Sequence, residues 1–141
     1  MHLRLTKEFN FEMAHALTGY DGKCRNIHGH SYRLFVTVEG SPITDAASPK
    51  QGMVVDFGDL KKIVNESIVA PMDHAFVISR DSPFNTLRMP ANKTVVVDFQ
   101  PTCENLLTHF AQQLQPRLPK GVRLYSLRLY ETATSYAELF L

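Results

Sequence analysis

The 141-residue chain has only two cysteines, no tryptophan and almost no excess of charge of either sign. Two cysteines, Cys24 and Cys103, are too few for a disulfide framework, and this predicts a reducing cytoplasm. A formal net charge of +1 gives no support to the concentrated basic face of a nucleic-acid-binding protein. Neither a signal-peptide core nor an apolar run of membrane-spanning length occurs. We therefore predict a cytoplasmic protein that binds neither nucleic acid nor membrane.

The composition is otherwise that of an ordinary globular protein. Hydrophobic residues make up 44% of the chain and charged residues 21%. A chain of this length fits one domain, residues 1–141, which buries enough surface to fold without disulfides. The sequence contains no internal repeat and no low-complexity segment.

Two segments near the N-terminus alternate between polar and apolar residues, as half-buried strands do. They are residues 3–15 and 28–39. If they pair as a hairpin, His15, His28 and His30 lie near its loop end and point to the apolar side. A β-bulge in either strand would turn the side chains that follow it to the opposite face of the sheet.

The remaining segments predict the order ββααββ and an α+β class. Asp56 begins a helix that Pro71 ends, and Thr102 begins a second helix that is closed by prolines. Residues 79–92 are expected to form a loop, and residues 94–99 a short strand or an extended connector. Residues 122–131 and 136–141 are predicted to finish the chain as a hairpin.

The three histidines suggest a metal site. Three neutral imidazoles leave Zn²⁺ an open fourth position, as in catalytic zinc sites. Imidazole also suits copper, iron and nickel, so zinc is a preference. The alternative is that each histidine is an ordinary hydrogen-bonded residue, which is less expected for three on compatible faces.

Cys24 lies in a polar loop between Lys23 and Arg25, whose positive charges favour a thiolate. It is therefore a candidate base or nucleophile. A phosphatase loop would need arginine six positions after the cysteine, but that position is His30. Cys103, next to leucines in a predicted helix, is interpreted as a small buried apolar residue.

Asp73 and His74 form an adjacent pair in which the carboxylate can orient the imidazole for acid–base chemistry. A surface Asp-His pair is the commoner alternative. Glu104 suits the first turn of a helix, which it stabilises through the helix dipole. Glu131 falls on an apolar strand face, where a carboxylate needs a partner. That partner is either a ligand amidine or an arginine, Arg128 or Arg33.

Taken together, these segments resemble the 6-pyruvoyltetrahydropterin synthase/6-carboxytetrahydropterin synthase family. The matching motifs occur in family order over nearly the whole chain, at residues 11–15, 24–30, 55–61, 72–74, 101–105 and 131–132. The spacing of Cys24 and His28 is similar to that of the bacterial carboxy branch, which acts in queuosine and 7-deazapurine biosynthesis.

The resemblance implies a role for each candidate residue. Its implied zinc ligands are His15, His28 and His30, and its implied catalytic group is Cys24 with Asp73 and His74 as a proton relay. Glu131 would hold the pterin ring, with Glu104 a weaker candidate. The implied structure is the tunnelling fold, an antiparallel sheet with helices on one face. Sheets of several chains would close into a barrel, commonly a homohexamer of two stacked trimers with active sites at subunit boundaries.

The implied reaction converts 7,8-dihydroneopterin triphosphate to 6-carboxy-5,6,7,8-tetrahydropterin, with release of acetaldehyde and triphosphate. The alternatives are a 6-pyruvoyltetrahydropterin synthase, a non-catalytic pterin- or zinc-binding module, and a zinc hydrolase. The chain departs from many relatives at Val77-Ile78, where they have Leu-Asn, and residues 79–97 form a longer segment than in compact relatives.

Overall fold

Six β-strands form one mixed sheet in the computed structural model, which describes residues 1–86 and 93–141. The strands are β1 (Leu3–His15), β2 (His28–Gly40), β3 (Ala75–Ser79), β4 (Thr94–Val97), β5 (Arg123–Thr132) and β6 (Ser135–Phe140). Their order in the sheet is β4-β3-β1-β2-β5-β6. The helices are α1 (Phe57–Val64), α2 (Ala70–Met72) and α3 (Cys103–Leu114). A π-helical turn, Asn65–Val69, joins α1 to α2, and 3-10 turns lie at Lys23–Arg25, Pro83–Thr86 and Gln115–Arg117.

The predicted hairpin of β1 and β2 is confirmed. The two strands pair antiparallel without a bulge, from Leu3 opposite Gly40 to His15 opposite His28. Because side chains alternate along a strand, an unbroken register keeps all odd positions of β1 on the face of the even positions of β2. That shared face is the buried one.

The class α+β is confirmed, but the predicted element order and the wholly antiparallel sheet are wrong. An unpredicted strand, β3, follows α2 and runs parallel to β1, with Met13 opposite Ala75. β4 then pairs parallel with β3. All five residues of β3 are buried, so the segment shows no polar–apolar alternation that would indicate a strand. Of the predicted loop 79–92, residues 87–92 lie outside the described residues.

A bulge in β2–β5 pairing changes which β5 residues face the core. Thr37 lies opposite Ser126, but Val38 lies opposite Leu124, so Tyr125 is the extra residue. Leu124, Leu127 and Leu129 are therefore buried together. A strict two-residue period counted back from Leu127 and Leu129 would place Tyr125 on that face instead of Leu124, because the period cannot anticipate a bulge.

Both predicted helix starts are confirmed by their capping hydrogen bonds. The Asp56 carboxylate accepts from the Gly58 amide at 2.6 Å, and the Thr102 hydroxyl accepts from the Asn105 amide at 3.2 Å. Pro71 lies in the last helical turn, so the first helical segment ends one residue later, at Met72.

The helices cover one face of the sheet, as predicted, and the core lies between them. Apolar side chains of β1, β2 and β5 pack there against α1 and α3; the largest are Phe11, Tyr32, Leu34, Leu60, Ile68, Leu106, Phe110 and Leu127. The opposite face of β1 and β2 carries polar side chains such as Glu12 and Ser31. In the described part of the chain, no helix is long and apolar enough to cross a membrane. The oligomeric barrel stays a prediction.

Candidate metal centre and cleft

Three histidine side chains meet at the end of the β1–β2 hairpin. His15 lies opposite His28, and His30 lies opposite Met13, which places the three imidazoles on the buried face. One ring nitrogen of each lies within 4.8 Å of the others. The Nε2 atoms of His15 and His28 are 2.9 Å apart. The convergence predicted from alternation is therefore present in the structure, and the three nitrogens can hold one metal ion.

Backbone carbonyls orient two of these rings. His15 Nδ1 donates to the Pro101 carbonyl and His28 Nδ1 donates to the Asn26 carbonyl, each at 2.7 Å. When Nδ1 carries the proton, Nε2 keeps a lone pair for a metal ion. Carbonyl acceptors of this kind are the usual partners of metal-bound histidines. The Nε2 atoms of both residues point toward the shared centre.

His30 provides the strongest test of whether a metal fits. Its Nε2 atom is buried and has no hydrogen-bond partner among the described residues. The nearest charged group is the Glu131 carboxylate, 3.6 Å away, which is too far for a hydrogen bond. A buried nitrogen of this kind normally has a partner. A cation bound at this nitrogen supplies one, so the donor set fits a metal ion.

Burial favours the neutral form of His15 and of His30. His15 is almost fully buried, and desolvation lowers its pKa to about 4, against the opposing effect of the Pro101 hydrogen bond. The neighbouring His28 and His30 lower it further. Burial also lowers the pKa of His30, although the Glu131 carboxylate raises it. Neutral imidazole is the form that binds a metal.

Cys24 lines a cleft of about 440 Å³, whose wall includes Glu131, the carboxylate 3.6 Å from His30. Cys24 is a free, partly exposed thiol in the Lys23–Arg25 turn. Its backbone carbonyl accepts a hydrogen bond from the Leu17 amide at 2.8 Å. Cys103 is buried on the same cleft and its thiol donates to the Leu129 carbonyl at 3.2 Å, as expected of a structural residue. Burial raises the pKa of Cys103 to about 11.

Both glutamates predicted to bind ligand line the same cleft. Glu131 lies at the irregularity where β5 pairs with β6, between the Tyr130–Tyr136 and Thr132–Ser135 pairs. Glu104 occupies the first turn of α3. The arginines considered as partners of Glu131 are engaged elsewhere: Arg128 pairs with Glu138, and Arg33 pairs with Glu8. In residues 1–86 and 93–141, the only basic side chain within 4 Å of the Glu131 carboxylate is the His30 imidazole, at 3.6 Å.

Asp73 and His74 do not belong to the Cys24 cleft. The Asp73 carboxylate accepts from the Glu12 amide at 2.9 Å and lies 3.0 Å from His74 Nδ1. The Glu12 hydrogen bond and then His74 hold the Asp73 pKa below its ordinary value. His74 adopts a φ of 59°, which provides the bend that an adjacent pair needs in order to interact. Its side chain is 76% exposed and lines a hollow with Glu12 and Ser31, apart from the Cys24 cleft.

Two further residues of the site were not singled out by the sequence. The Gln100 side chain accepts from the Thr18 amide at 2.9 Å and donates to the Thr18 carbonyl at 2.7 Å, which fixes the rim of the cleft. Tyr32 is fully buried beside His30, with ring centroids 5.6 Å apart. Tyr32 shares the strand face of the histidines, but its position in the polar–apolar pattern also fits an ordinary core residue. No pattern in the sequence indicates a role for Gln100.

Comparison with known proteins finds relatives over almost the whole chain. A family model described as 6-pyruvoyl tetrahydropterin synthase matches residues 4–140. A 6-carboxy-5,6,7,8-tetrahydropterin synthase of Haemophilus influenzae is 42% identical over 140 residues, 96% of each chain. The human 6-pyruvoyl tetrahydrobiopterin synthase is 37% identical over 113 residues, which are 79% of this chain and 66% of that protein.

A solved structure shows the same fold. The 6-pyruvoyl tetrahydropterin synthase of Plasmodium vivax superimposes with a TM-score of 0.74 over 99% of this chain and 97% of that chain, at 19% identity. The fold and the three-histidine cluster thus define an α+β protein with a candidate metal centre beside a cleft. The chain belongs to the 6-pyruvoyl tetrahydropterin synthase family, a family of tetrahydropterin synthase enzymes.

The burial of His15 predicts acid lability of the metal-free protein. Below pH 6.5 the unfolded chain gains a proton on this histidine, whereas the folded chain does so only near pH 4. The free energy of unfolding should therefore fall as pH drops through this window, by up to about 1.4 kcal/mol per pH unit from His15, with a further contribution from His30. Urea unfolding in the presence of a chelator measures this dependence.

The matched variant is His15→Asn, whose side-chain amide lies at the position of Nδ1 and can still donate to the Pro101 carbonyl. It should be less stable at neutral pH but should lose stability less steeply on acidification. Equal slopes for the parent and the variant would show that His15 is not held neutral by burial.

Proposed function

We propose that this chain is a zinc-dependent 6-carboxy-5,6,7,8-tetrahydropterin synthase. It would convert 7,8-dihydroneopterin triphosphate to 6-carboxy-5,6,7,8-tetrahydropterin, acetaldehyde and triphosphate, on the route to queuosine and other 7-deazapurines. The observation that carries the proposal is the cluster of three histidine nitrogens within 4.8 Å, adjoining a cleft lined by Cys24 and Glu131. The 42% identity to the Haemophilus influenzae protein supports the carboxy branch.

The ligands proposed for the metal are His15, His28 and His30. Three neutral nitrogen donors favour zinc over calcium or magnesium, which take oxygen ligands. When bound, Zn²⁺ supplies Lewis acidity, which makes hydroxyl and adjacent C–H groups of a bound polyol easier to deprotonate. Among the described residues, the one carboxylate near the cluster is that of Glu131, 3.6 Å from His30. The three histidines are therefore the proposed ligands.

Cys24 is proposed to move the proton. It is the partly exposed thiol of the cleft, while Cys103 is buried and bonded to a carbonyl. A thiolate at Cys24 can accept the C–H proton of the hydroxyl-bearing carbon next to the ring, while the electron pair moves into the adjacent C=N bond of the dihydropterin and its nitrogen takes up a proton. Loss of the O–H proton and protonation of the ring carbon then leave a carbonyl on the side chain and a reduced ring, and the carbonyl prepares the loss of triphosphate and of a two-carbon unit.

Glu131 is proposed to hold the pterin ring. Its carboxylate is half-buried and has no arginine or lysine partner among the described residues, so a bound cationic or amidine-like group would stabilise it. The guanidine-like edge of a pterin presents two parallel N–H donors, which match a carboxylate. Glu104, farther out on the same cleft, is the weaker candidate for this contact.

Asp73 and His74 are proposed to act across a subunit boundary. Their hollow is lined by residues of β1, β2 and β3, whereas the Cys24 cleft is bounded by β5, β6 and the start of α3. The exposed His74 imidazole is available to a neighbouring chain. In the predicted hexamer, His74 of one chain would face the Cys24 cleft of the next and exchange its proton, oriented by Asp73.

Product analysis with a Cys24→Ala variant tests the proposal. The zinc-loaded parent should consume 7,8-dihydroneopterin triphosphate and release acetaldehyde and triphosphate. Cys24→Ala should keep its zinc, because Cys24 is not a proposed ligand, but should lose turnover by a factor of about 10² or more. Metal analysis and chromatographic identification of the pterin product provide the two measurements.

Cys103→Ala is the matched control, and it should retain turnover within a few-fold. A 6-pyruvoyl product without acetaldehyde would instead identify the alternative that the 37% identity to the human enzyme favours. Binding of the pterin without consumption would indicate a non-catalytic module. Loss of zinc from Cys24→Ala would contradict the proposed ligand set.

The proposed boundary site predicts complementation between two inactive variants. Cys24→Ala and His74→Asn should each be inactive alone; asparagine is chosen because it tolerates the positive φ of residue 74. Refolded together in equal amounts, they form mixed assemblies in which about a quarter of the clefts keep both groups. Turnover should therefore recover to about that fraction of the parent, as measured by triphosphate release. No recovery in assemblies shown to be mixed would place both groups in one chain's site.

A further inference from the structure

Tyr20 is an exposed aromatic residue on the wall of the Cys24 cleft. The residue is 47% accessible to solvent, although a large ring gains free energy when it is buried. It also lines a second hollow of about 340 Å³, together with residues of the Pro83–Thr86 turn. Tyr20 therefore borders two open spaces, and its ring is available for contact with a molecule that enters the cleft.

The loop that carries Tyr20 is held at its base. The Leu17 amide donates to the Cys24 carbonyl at 2.8 Å, which closes the loop. The Gln100 side chain pairs with both the amide and the carbonyl of Thr18, at 2.9 and 2.7 Å. These three hydrogen bonds fix the chain on both sides of Tyr20. One braced loop thus presents Tyr20 and Cys24 to the same cleft.

Gly22 leaves room for the Tyr20 ring. A β-carbon at residue 22 would lie 2.5 Å from Cε1 of Tyr20 and 2.9 Å from its Cζ. Carbon atoms in contact are normally about 3.5–4.0 Å apart, so the ring and a side chain at residue 22 exclude each other. The backbone of Gly22 is extended, with a φ of −97°, which any L-residue adopts. Glycine at this position therefore accommodates the ring and is not required by the backbone.

Tyr20 and Tyr136 are the aromatic residues among the described ones that line the cleft. The Tyr136 ring is already engaged, because it lies 4.6 Å from the Tyr130 ring and 4.7 Å from the guanidinium carbon of Arg128. In residues 1–86 and 93–141, the Tyr20 ring meets no other aromatic ring and no cation. Tyr20 is thus the cleft aromatic whose ring is left without a ring partner.

We propose that the Tyr20 ring packs against the flat ring of the bound pterin, whose edge Glu131 holds. This inference rests on the proposed function, because it takes a pterin as the ligand. Tyr20 and Glu131 line the same cleft. A carboxylate at the edge of a flat ring fixes that edge but leaves the two faces uncovered. Stacking on an aromatic side chain covers a face that would otherwise stay in water.

Substitution of Tyr20 tests the inference with neopterin, whose binding to the zinc-loaded protein is measured by calorimetry. Stacking of a nucleobase on an aromatic side chain changes affinity by about 5- to 150-fold. We expect Tyr20→Ala to bind neopterin at least about fivefold more weakly. Tyr20→Phe is the matched control, and it should bind within about twofold of the parent because it keeps the ring. Both variants should keep their zinc, since Tyr20 is not a proposed ligand.

Turnover of 7,8-dihydroneopterin triphosphate provides a second measurement. Stacking on the ring acts alike on the bound substrate and on the transition state, because the reacting atoms belong to the side chain. Tyr20→Ala should therefore raise KM by about the factor found for neopterin and leave kcat within a few-fold of the parent.

Gly22→Ala tests the position of the ring while the tyrosine stays in place. The added methyl group displaces the ring, so this variant should also bind neopterin more weakly than the parent. The double variant Tyr20→Ala/Gly22→Ala should bind no more weakly than Tyr20→Ala, because residue 22 acts through the ring. Additive losses would overturn the inference, since the ring would then not meet the ligand from its place on Gly22.

Three further outcomes separate the inference from the proposed function. Equal neopterin affinity of Tyr20→Ala and the parent would overturn the inference and leave the proposed function intact. An equal loss in Tyr20→Phe and Tyr20→Ala would also overturn it, because the hydroxyl and not the ring would then contact the ligand. A parent that binds neopterin through Tyr20 but does not convert 7,8-dihydroneopterin triphosphate would refute the proposed reaction and support the inference. A parent that binds no neopterin would refute the inference alone if it still turns over the triphosphate, and both if it does not.

Discussion

The unbroken antiparallel register of β1 and β2 is the constraint on which the site depends. His15 and His28 form the terminal pair of this ladder, and His30 follows two residues along β2 on the same face. A slip of one residue in either strand would turn its histidines to the polar face. The register is held by the apolar side chains of that face, such as Phe11 and Leu34, which α1 and α3 cover. The same hydrophobic pattern therefore specifies both the core and the metal centre.

Placing three imidazoles at the edge of an apolar core has an energetic consequence. The ionisation of His15 and His30 is disfavoured, and each polar nitrogen needs a partner. Carbonyls of Pro101 and Asn26 supply partners to two outer nitrogens, but His30 Nε2 has none among the described residues. An unpaired group of this kind is unfavourable in a merely structural core. It is the expected signature of a site that is completed by a metal ion.

Much of the site was predictable because it is local in sequence. Strand alternation predicted the convergence of the three histidines, and capping residues predicted where α1 and α3 begin. The β3 strand was missed because a fully buried strand has no alternation, and its parallel pairing with β1 depends on the bend at His74. The partner of Glu131 could not be predicted, because whether Arg128 and Arg33 are engaged elsewhere depends on cross-strand pairing. The separation of His74 from the Cys24 cleft likewise emerges only from the strand order.

The most direct test of the account is X-ray absorption at the zinc edge of the purified, zinc-loaded protein. The account predicts one zinc per chain bound by three imidazole nitrogens at about 2.0–2.1 Å and one lighter oxygen or nitrogen ligand. Cys24 should be absent from the first coordination sphere, so no sulfur should appear at about 2.3 Å. A zinc–sulfur distance, or fewer than three imidazoles, would contradict the proposal that the histidine cluster alone holds the metal and leaves the thiol for catalysis.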